Sequence, residues 1–214
     1  MPIAFFDLDG TITHRDTLFP LVLRQLVRRP LRLLRLLGVV PAAVRYAVDR
    51  DRGALKQSLL RMTLRGTSRA ELNDASARFV TDTIERRCFG DALRTIKRHR
   101  EAGHFLVLMS ASVDFYVPEF ARQLGFDHVI STGVAWNGEW LDGTLTTPNC
   151  RGEQKALCLR ALVAERRDSE TFAYGNSDSD LPHLAIVRHG LLINGSVAAR
   201  RAAAALGVPT AEWI

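Results

Sequence analysis

The chain has few cysteines, and their number and spacing exclude two classes of small protein. Three cysteines occur among the 214 residues, at Cys88, Cys150 and Cys158. This odd, widely spaced set matches neither the paired framework of a disulfide-rich secreted domain nor the closely spaced ligand pairs of a zinc site. We therefore expect reduced thiols and a cytoplasmic protein.

Long apolar runs are also missing. The most apolar stretch, residues 33–48, is interrupted by Arg35, Pro41 and Arg45. A membrane-spanning helix needs about 20 apolar residues, so none is predicted. The opening residues, MPIAFFDLDG, contain neither a basic region nor a small-residue cleavage site, and we expect no secretory signal.

Acidic residues are absent from one segment, although the whole chain has a net charge of only +6. Between Leu18 and Val48 no Asp or Glu accompanies the six arginines, which are Arg24, Arg28, Arg29, Arg32, Arg35 and Arg45. A basic amphipathic helix can lie on an anionic membrane surface. Alternatively, its apolar residues pack within the protein or at a homodimer interface while the arginines face water. Because no nucleic-acid-binding motif accompanies the charge, we expect no nucleic-acid partner.

Short apolar runs alternate with helical periodicity over most of the chain. Strands are predicted at 2–7, 105–109, 128–131, 171–174 and 190–193. Helices are predicted at 91–101, 113–124, 153–165, 180–187 and 197–206. This alternation predicts an α/β protein with a parallel sheet flanked by helices.

Two segments interrupt the alternation. Residues 14–90 show helical periodicity and no convincing strand, so we predict an inserted helical domain there and a core of residues 1–13 and 91–214. Residues 133–147 have a β-rich composition, with turn signals at Asn137-Gly138 and Asp142-Gly143 that indicate a hairpin or β-excursion.

The first predicted strand ends in a pair of acids, Asp7 and Asp9, followed by Gly10 and Thr11. Open α/β sheets bind ligands at the carboxyl edge of their strands. Two neighbouring carboxylates repel each other unless a cation intervenes, and their hard oxygens suit Mg²⁺. An ordinary acidic loop after a buried strand is the alternative interpretation.

Four motifs in order resemble those of the haloacid dehalogenase (HAD) superfamily. FFDLDGT is similar to motif I, Ser110 in FLVLMSAS to motif II, Lys155 in CRGEQKALCL to motif III, and YGNSDSDLPHL to motif IV. The resemblance covers essentially the whole chain and is nearest to subfamily IB, which is phosphoserine-phosphatase-like. It implies a Rossmann-like core with a helical cap of the C1 type inserted after motif I, as residues 14–90 would be.

The resemblance implies a phosphatase that forms a phospho-aspartate intermediate. Asp7 would be the nucleophile, and Asp9 the general acid and then the general base. Ser110, Lys155 and loop amides such as that of Ala111 would hold the phosphate oxygens. Splitting one difficult displacement into two steps is the advantage of such a covalent route.

The resemblance also implies a Mg²⁺ cofactor held by Asp7, Asp9, Asn176 and Asp180. The family loop usually begins Gly-Asp, whereas this chain has Gly-Asn at Asn176. An amide oxygen can ligate Mg²⁺ but brings no negative charge. Reduced metal affinity, recruitment of Asp178, or a weakened enzyme that serves as a binding module are the alternatives.

The inserted helices would select the leaving group. Asp16 is a candidate substrate-binding residue or a helix N-cap, while Lys56, Arg61 and Arg65 are candidates for meeting a substrate anion. His14 lies in the same part of the sequence. We expect a small phosphorylated metabolite, such as a phosphoserine-like compound or an amino-alcohol phosphate. The basic, apolar texture of residues 18–48 supports an alternative, a lipid-phosphate substrate of the phosphatidylglycerophosphate type at a membrane surface.

Overall fold

The computed structural model describes residues 1–28, 30–164 and 169–214, and for residues 30–32 only the backbone. Its strands are β1 Ile3–Phe6, β2 Phe105–Val113, β3 His128–Thr132, β4 Val134–Asn137, β5 Trp140–Leu145, β6 Thr171–Gly175, β7 His189–Ile193 and β8 Thr210–Ala211. Its α-helices are α1 Leu18–Val27, α2 Val40–Asp49, α3 Arg52–Thr63, α4 Arg69–Arg87, α5 Gly90–Glu101, α6 Val117–Leu124, α7 Glu153–Ala164, α8 Leu181–Leu184 and α9 Val197–Ala205. A 3₁₀ helix, Pro30–Val39, precedes α2, and a 3₁₀ turn, Asp178–Asp180, precedes α8.

Strand β1 lies in the middle of the main sheet, whose order is β3-β2-β1-β6-β7-β8 and whose pairs are all parallel. All four of its residues are fully buried. Alternate side chains of a strand point to opposite faces, and accordingly Phe6 joins one apolar cluster while Phe5 joins the other. Apolar layers on both faces explain why this strand is a continuous apolar run.

The five predicted strands and the α/β class are confirmed, with differences at the ends of elements. Strand β2 runs to Val113, which pairs with Thr132 in β3, so Ser110 lies within the strand and α6 begins only at Val117. The helix predicted over 180–187 is the shorter α8, after a 3₁₀ turn. Helix α7 ends at Ala164. The last residue of its predicted range, Glu165, lies outside the described residues.

Residues 14–90 contain α1, the 3₁₀ helix and α2 to α4, and within the described part of this segment no strand forms. Its helical prediction is therefore confirmed there, with Arg29 outside the described residues. Asp51 and Ser68 each accept a backbone N–H at the start of α3 and α4, as expected of N-cap residues. In the part of the chain that the structure covers, no helix combines the length and apolarity that crossing a bilayer requires.

The segment 133–147 forms a two-stranded antiparallel hairpin, as its composition predicts. Asn137 pairs with Trp140, so the first turn signal is correct. The second is wrong, because Asp142 and Gly143 lie inside β5. Gly143 has a φ of +86°, and a Cβ there would come within 3.0 Å of the α3 backbone. The glycine permits close packing of strand on helix and does not form a turn.

Candidate active site

Most of the predicted site residues line one cavity, where the strand order reverses. Strands β2 and β6 flank β1, and in open parallel sheets such a switch point forms a crevice at the carboxyl edge. A cavity of about 460 Å³ opens there. Eight residues singled out from the sequence line it: Asp7, Asp9, Asp16, Lys56, Ala111, Lys155, Asn176 and Asp180.

Lys155 links Asp7 of the first motif with Asp180 of the fourth motif. Its ammonium donates to Asp7 Oδ1 at 2.6 Å and to Asp180 Oδ1 at 2.7 Å. The lysine is only 2% exposed, and both carboxylates are also buried. Asp7 follows β1, and Lys155 lies in the first turn of α7. Three elements distant in sequence therefore meet in one buried ion cluster.

The charged groups of this cluster shift one another's pKa values. Burial alone lowers the pKa of Lys155, but Asp180 and Asp7 outweigh it and raise that pKa above its ordinary value. Burial works in the opposite direction on Asp180, where the Lys155 ammonium prevails and lowers the pKa. The pKa of Asp7 is raised, first by burial and then by the charges of Asp180 and Asp9. The Lys155 ammonium lowers the pKa of Asp7, but burial raises it more.

Asp9 is held by groups from two other elements. Its Oδ1 accepts from the backbone N–H and the hydroxyl of Thr17, at 2.8 and 2.6 Å, and its Oδ2 accepts from Ser112 Oγ at 2.7 Å. Burial raises its pKa and the nearby Asp16 raises it further, although the Thr17 and Ser112 bonds oppose the shift. A carboxyl with a raised pKa can carry a proton closer to neutral pH than an ordinary aspartate can.

Ser110 does not lie on the cavity wall. It is fully buried, and its hydroxyl accepts from the backbone N–H of Ser112 at 3.0 Å. The next two residues, Ala111 and Ser112, do line the cavity. Sequence reasoning missed Ser112 and Thr17, the two side chains that orient Asp9. Ser112 follows the predicted motif serine by two residues along an extended chain, and that spacing was the available signal.

Asn176 packs directly against the first loop. Gly10 has a φ of +86°, and a Cβ there would overlap the side-chain amide of Asn176. Asp180 fixes the loop around Asn176. Its Oδ2 accepts from the N–H groups of Asn176 and Ser177 and from Ser177 Oγ. Asp178 is exposed, does not line the cavity, and accepts from Ser179 N.

The donor chemistry of the site fits a hard cation. Over residues 1–28, 30–164 and 169–214, no three side chains of His, Cys, Asp or Glu are grouped as a metal site. A cation here would therefore depend on the amide oxygen of Asn176 beside the carboxylates. A carboxylate has about four lone-pair sites. Asp7 uses two of them, through Lys155 and Thr11, and keeps acceptor capacity.

The helical wall of the cavity carries the candidate substrate contacts. Asp16 lines it, and Asp16 Oδ1 also accepts from Phe19 N at 3.1 Å, so both predicted roles of Asp16 are compatible. Lys56 lines it too and donates to the Ala111 carbonyl and, at 2.5 Å, to Asn149 Oδ1. Neither Arg61 nor Arg65 is among the lining residues.

His14 lies elsewhere. It contacts Phe89, with ring centroids 4.4 Å apart, and it lines a different cavity beside α4. It therefore takes no part in the cavity at the carboxyl edge.

Comparison with known proteins identifies the family. The model of the haloacid dehalogenase-like hydrolases matches residues 4–185. The chain belongs to this family of hydrolases, and the resemblance inferred from its four motifs is confirmed.

Particular relatives and structures support the same assignment. Protein CicA of Caulobacter vibrioides is 33% identical over 186 residues, 86% of this chain and 82% of that protein. A Mycobacterium tuberculosis protein named a probable phosphatase is 27% identical over 220 residues, 98% of this chain and 75% of that protein.

Two solved structures share the fold. The crystal structure of a Bordetella pertussis protein of unknown function superposes with a TM-score of 0.81 at 22% identity, over 98% of this chain and 97% of that one. Phosphoserine phosphatase in its apo form superposes with a TM-score of 0.63 at 14% identity, over 94% and 90%. The predicted phosphoserine-phosphatase-like architecture is confirmed.

Proposed function

We propose that this hydrolase is a Mg²⁺-dependent phosphomonoesterase in which Asp7 is the nucleophile. The observation that carries the proposal is the buried Asp7–Lys155–Asp180 cluster at the switch point of the sheet. An anionic nucleophile and an anionic phosphate repel each other, and Lys155 supplies positive charge where they meet. Family membership and the name of the Mycobacterium tuberculosis relative support the same reaction class.

In the first step an oxygen of Asp7 forms a bond to phosphorus while the bond from phosphorus to the ester oxygen breaks. The leaving alcohol takes its proton from Asp9, whose raised pKa suits that role. In the second step Asp9 accepts a proton from water as the water attacks phosphorus. Inorganic phosphate leaves and Asp7 is regenerated as a carboxylate, so atoms and charge balance.

Residues of the cavity position these steps. Thr17 and Ser112 fix Asp9 in one orientation, and Thr11 with Lys155 fixes Asp7. Phosphoryl transfer depends mainly on alignment and neutralisation of charge. Ser110 and the Ala111 amide remain the proposed holders of the phosphate oxygens, since the Ser110 hydroxyl accepts from Ser112 N and keeps its own O–H to donate.

Mg²⁺ would be held by Asp7, Asp9, Asn176 and Asp180, and it would neutralise charge on the transferring phosphoryl group. Asp180 already accepts four hydrogen bonds and Asp9 accepts three, so Asp7 and Asn176 are the ligands with the most free acceptor capacity. We expect Asn176→Asp to lower the Mg²⁺ concentration needed for half-maximal activity by about tenfold, because a carboxylate binds Mg²⁺ more tightly than an amide does. An unchanged Mg²⁺ requirement would count against Asn176 as a ligand.

We also propose that residues 14–90 act as a cap domain over the core of residues 1–13 and 91–214. Leu18, Phe19, Leu55 and Lys56 of this segment line the same cavity as Asp7. The cavity volume of about 460 Å³ is that of a small-ligand site. The leaving group of the ester would therefore be selected by residues of the cap.

The test is hydrolysis of p-nitrophenyl phosphate with Mg²⁺ present. Asp7→Asn keeps the shape of the side chain but removes the nucleophilic charge, and we expect kcat to fall by at least about 10⁴-fold. Asp178→Asn is the matched control, since Asp178 is exposed and lies off the cavity, and it should keep full activity. Full turnover by Asp7→Asn would exclude the proposed nucleophile.

A further inference from the structure

Helix α2 is unusual because it has no buried residue, although it is rich in apolar side chains. Val40, Val44 and Val48 are 53%, 64% and 86% exposed. Residues four apart lie on one face of an α-helix, so these valines form a single apolar stripe toward solvent. A stripe of this kind on a water-soluble helix indicates a missing partner.

The preceding 3₁₀ helix has the same character. Leu34 and Leu37 are 67% and 68% exposed. Residues three apart are aligned in a 3₁₀ helix, which has three residues per turn, so these leucines also share one side. Together Leu34, Leu37, Val40, Val44 and Val48 form what we call the apolar ridge.

Arginines accompany the apolar ridge. Arg28, Arg35 and Arg45 are exposed, and no acidic residue occurs between Leu18 and Val48. The first acid after the ridge is Asp49, which pairs with Arg45 at 2.9 Å. An exposed apolar stripe bordered by arginines is complementary to a surface that is apolar inside and anionic outside, which describes a leaflet of anionic lipid.

The elements that carry the apolar ridge also contribute residues to the cavity. Phe19 of α1, Val39 of the 3₁₀ helix and Tyr46 of α2 line the cavity, as do Leu55 and Leu59 of α3. The helical wall of the cavity therefore combines these apolar residues with the charged side chains of Asp16, Arg52 and Lys56. The elements that present the ridge to solvent also form the wall where a leaving group would lie.

We propose that the apolar ridge binds an anionic lipid surface, and that the cavity takes from it a phosphate monoester whose leaving group is apolar. The substrate part of this inference rests on the proposed phosphomonoesterase function. The phosphate would reach Asp7 and Lys155, while the apolar chain would lie against Phe19, Val39 and Leu55. The lipid-binding part stands independently of catalysis.

A second copy of the chain fits the ridge less well than lipid does. In a two-fold symmetric dimer each surface patch meets its own copy or a neighbouring part of it. Such pairing would bring the arginines beside the ridge close to their copies, with Asp49 on Arg45 as the nearest acid in sequence, and like charges at an interface are unfavourable. Anionic lipid would bury the apolar residues of the ridge and place negative charge beside its arginines.

Sedimentation with vesicles tests the surface. We expect the protein to bind vesicles of phosphatidylcholine mixed with phosphatidylglycerol, to bind phosphatidylcholine alone weakly, and to be released as salt increases. Val44→Ser/Val48→Ser should weaken binding by at least about tenfold, because two apolar side chains lose their burial in lipid. The matched control is Val197→Ser/Leu206→Ser, which removes exposed apolar residues around α9 and should bind as the unaltered protein does.

Two results would overturn the surface proposal. One is vesicle binding that is absent or equal in both double variants. The other is a concentration-dependent dimer that Val44→Ser/Val48→Ser dissociates, measured by analytical ultracentrifugation without lipid. The latter would assign the ridge to a second copy of the chain.

Hydrolysis of alkyl phosphates of increasing chain length tests the cavity. We expect kcat/KM to rise by about threefold for each added methylene that the apolar wall can bury. A flat or falling series would overturn the apolar leaving group. Turnover of p-nitrophenyl phosphate serves as the reference: if it is absent, the proposed function fails, while the vesicle assay still decides on the surface.

Discussion

The carboxyl edge of the sheet and the apolar ridge differ in which kind of side chain is buried and which is exposed. At the sheet edge, Lys155 and Asp180 are each 2% exposed, and their charged atoms are paired within the protein. On the ridge, Val48 is 86% exposed and belongs to a helix with no buried residue. Charged groups lie inside and apolar groups lie outside, the reverse of the usual distribution.

The difference separates two tasks. The buried cluster is held by strand and helix ends on a central parallel sheet, which fixes reacting groups to within small tolerances. Most of the ridge lies on α2, which buries no residue, so side chains there can suit a particular ligand without disturbing the core. The proposed reaction chemistry and the proposed substrate choice thus belong to parts of the molecule with different packing.

The largest expected effect is at the buried cluster. Lys155→Met leaves Asp7 and Asp180 buried without their shared cation, and we expect the free energy of unfolding to fall by about 3–5 kcal/mol. We expect kcat/KM to fall by at least about 10³-fold as well. Urea unfolding and p-nitrophenyl phosphate kinetics measure these effects.

Val48→Ser provides the contrast on the ridge, where we expect a change in unfolding free energy below about 0.5 kcal/mol. Comparable losses of stability in the two variants would remove the distinction between the regions.

An intermediate effect is expected where the loop of Gly10 touches the loop of Asn176. Gly10→Ala strains a backbone with φ of +86° and forces Asn176 aside. Gly66→Ala is a matched control, since Gly66 has a φ of +74° and an added Cβ there would meet nothing within 4 Å. Both should lose about 1–2 kcal/mol of unfolding free energy from backbone strain.

In the same pair of variants, only Gly10→Ala should also lose activity, by about tenfold or more, because a contact between the loops of the site is displaced. Equal activities of Gly10→Ala and Gly66→Ala would show that the contact of Gly10 with Asn176 is unimportant for catalysis.

The smallest expected effect lies between the two regions, at Lys56. Burial lowers the pKa of Lys56 to about 8, despite the opposing charges of Asp9 and Asp16. The ammonium is present below that pH and is lost as the pH rises through it, so we expect KM for p-nitrophenyl phosphate to rise about three- to tenfold above pH 8.

Lys56→Arg should hold KM nearly constant over the same range, because a guanidinium stays charged. Stability should change in the favourable direction as substrate binding weakens. Because the pKa of Lys56 is lower in the folded protein than in the unfolded chain, the free energy of unfolding should rise between about pH 8 and pH 10.4. The same rise in KM in both proteins would exclude Lys56 as its cause.

Much of the architecture could be predicted from local patterns. The buried run at residues 3–6 and the helices between the later strands follow from periodicity and apolar content. Asp142-Gly143 could not be interpreted correctly, because the reason for Gly143 is the backbone of α3, which is distant in sequence. The extension of β2 to Val113 likewise depends on its pairing with Thr132.

The sequence by itself determined the family, the parallel α/β class and the acidic, serine and lysine residues of the four motifs. Only the tertiary structure decided that Ser112 and Thr17 hold Asp9, that Ser110 does not line the cavity, and that the valines of α2 face solvent. The physical reason is the distance along the sequence over which each property is set. Motifs and periodicity are local, whereas hydrogen-bond partners and exposure depend on which distant elements pack together.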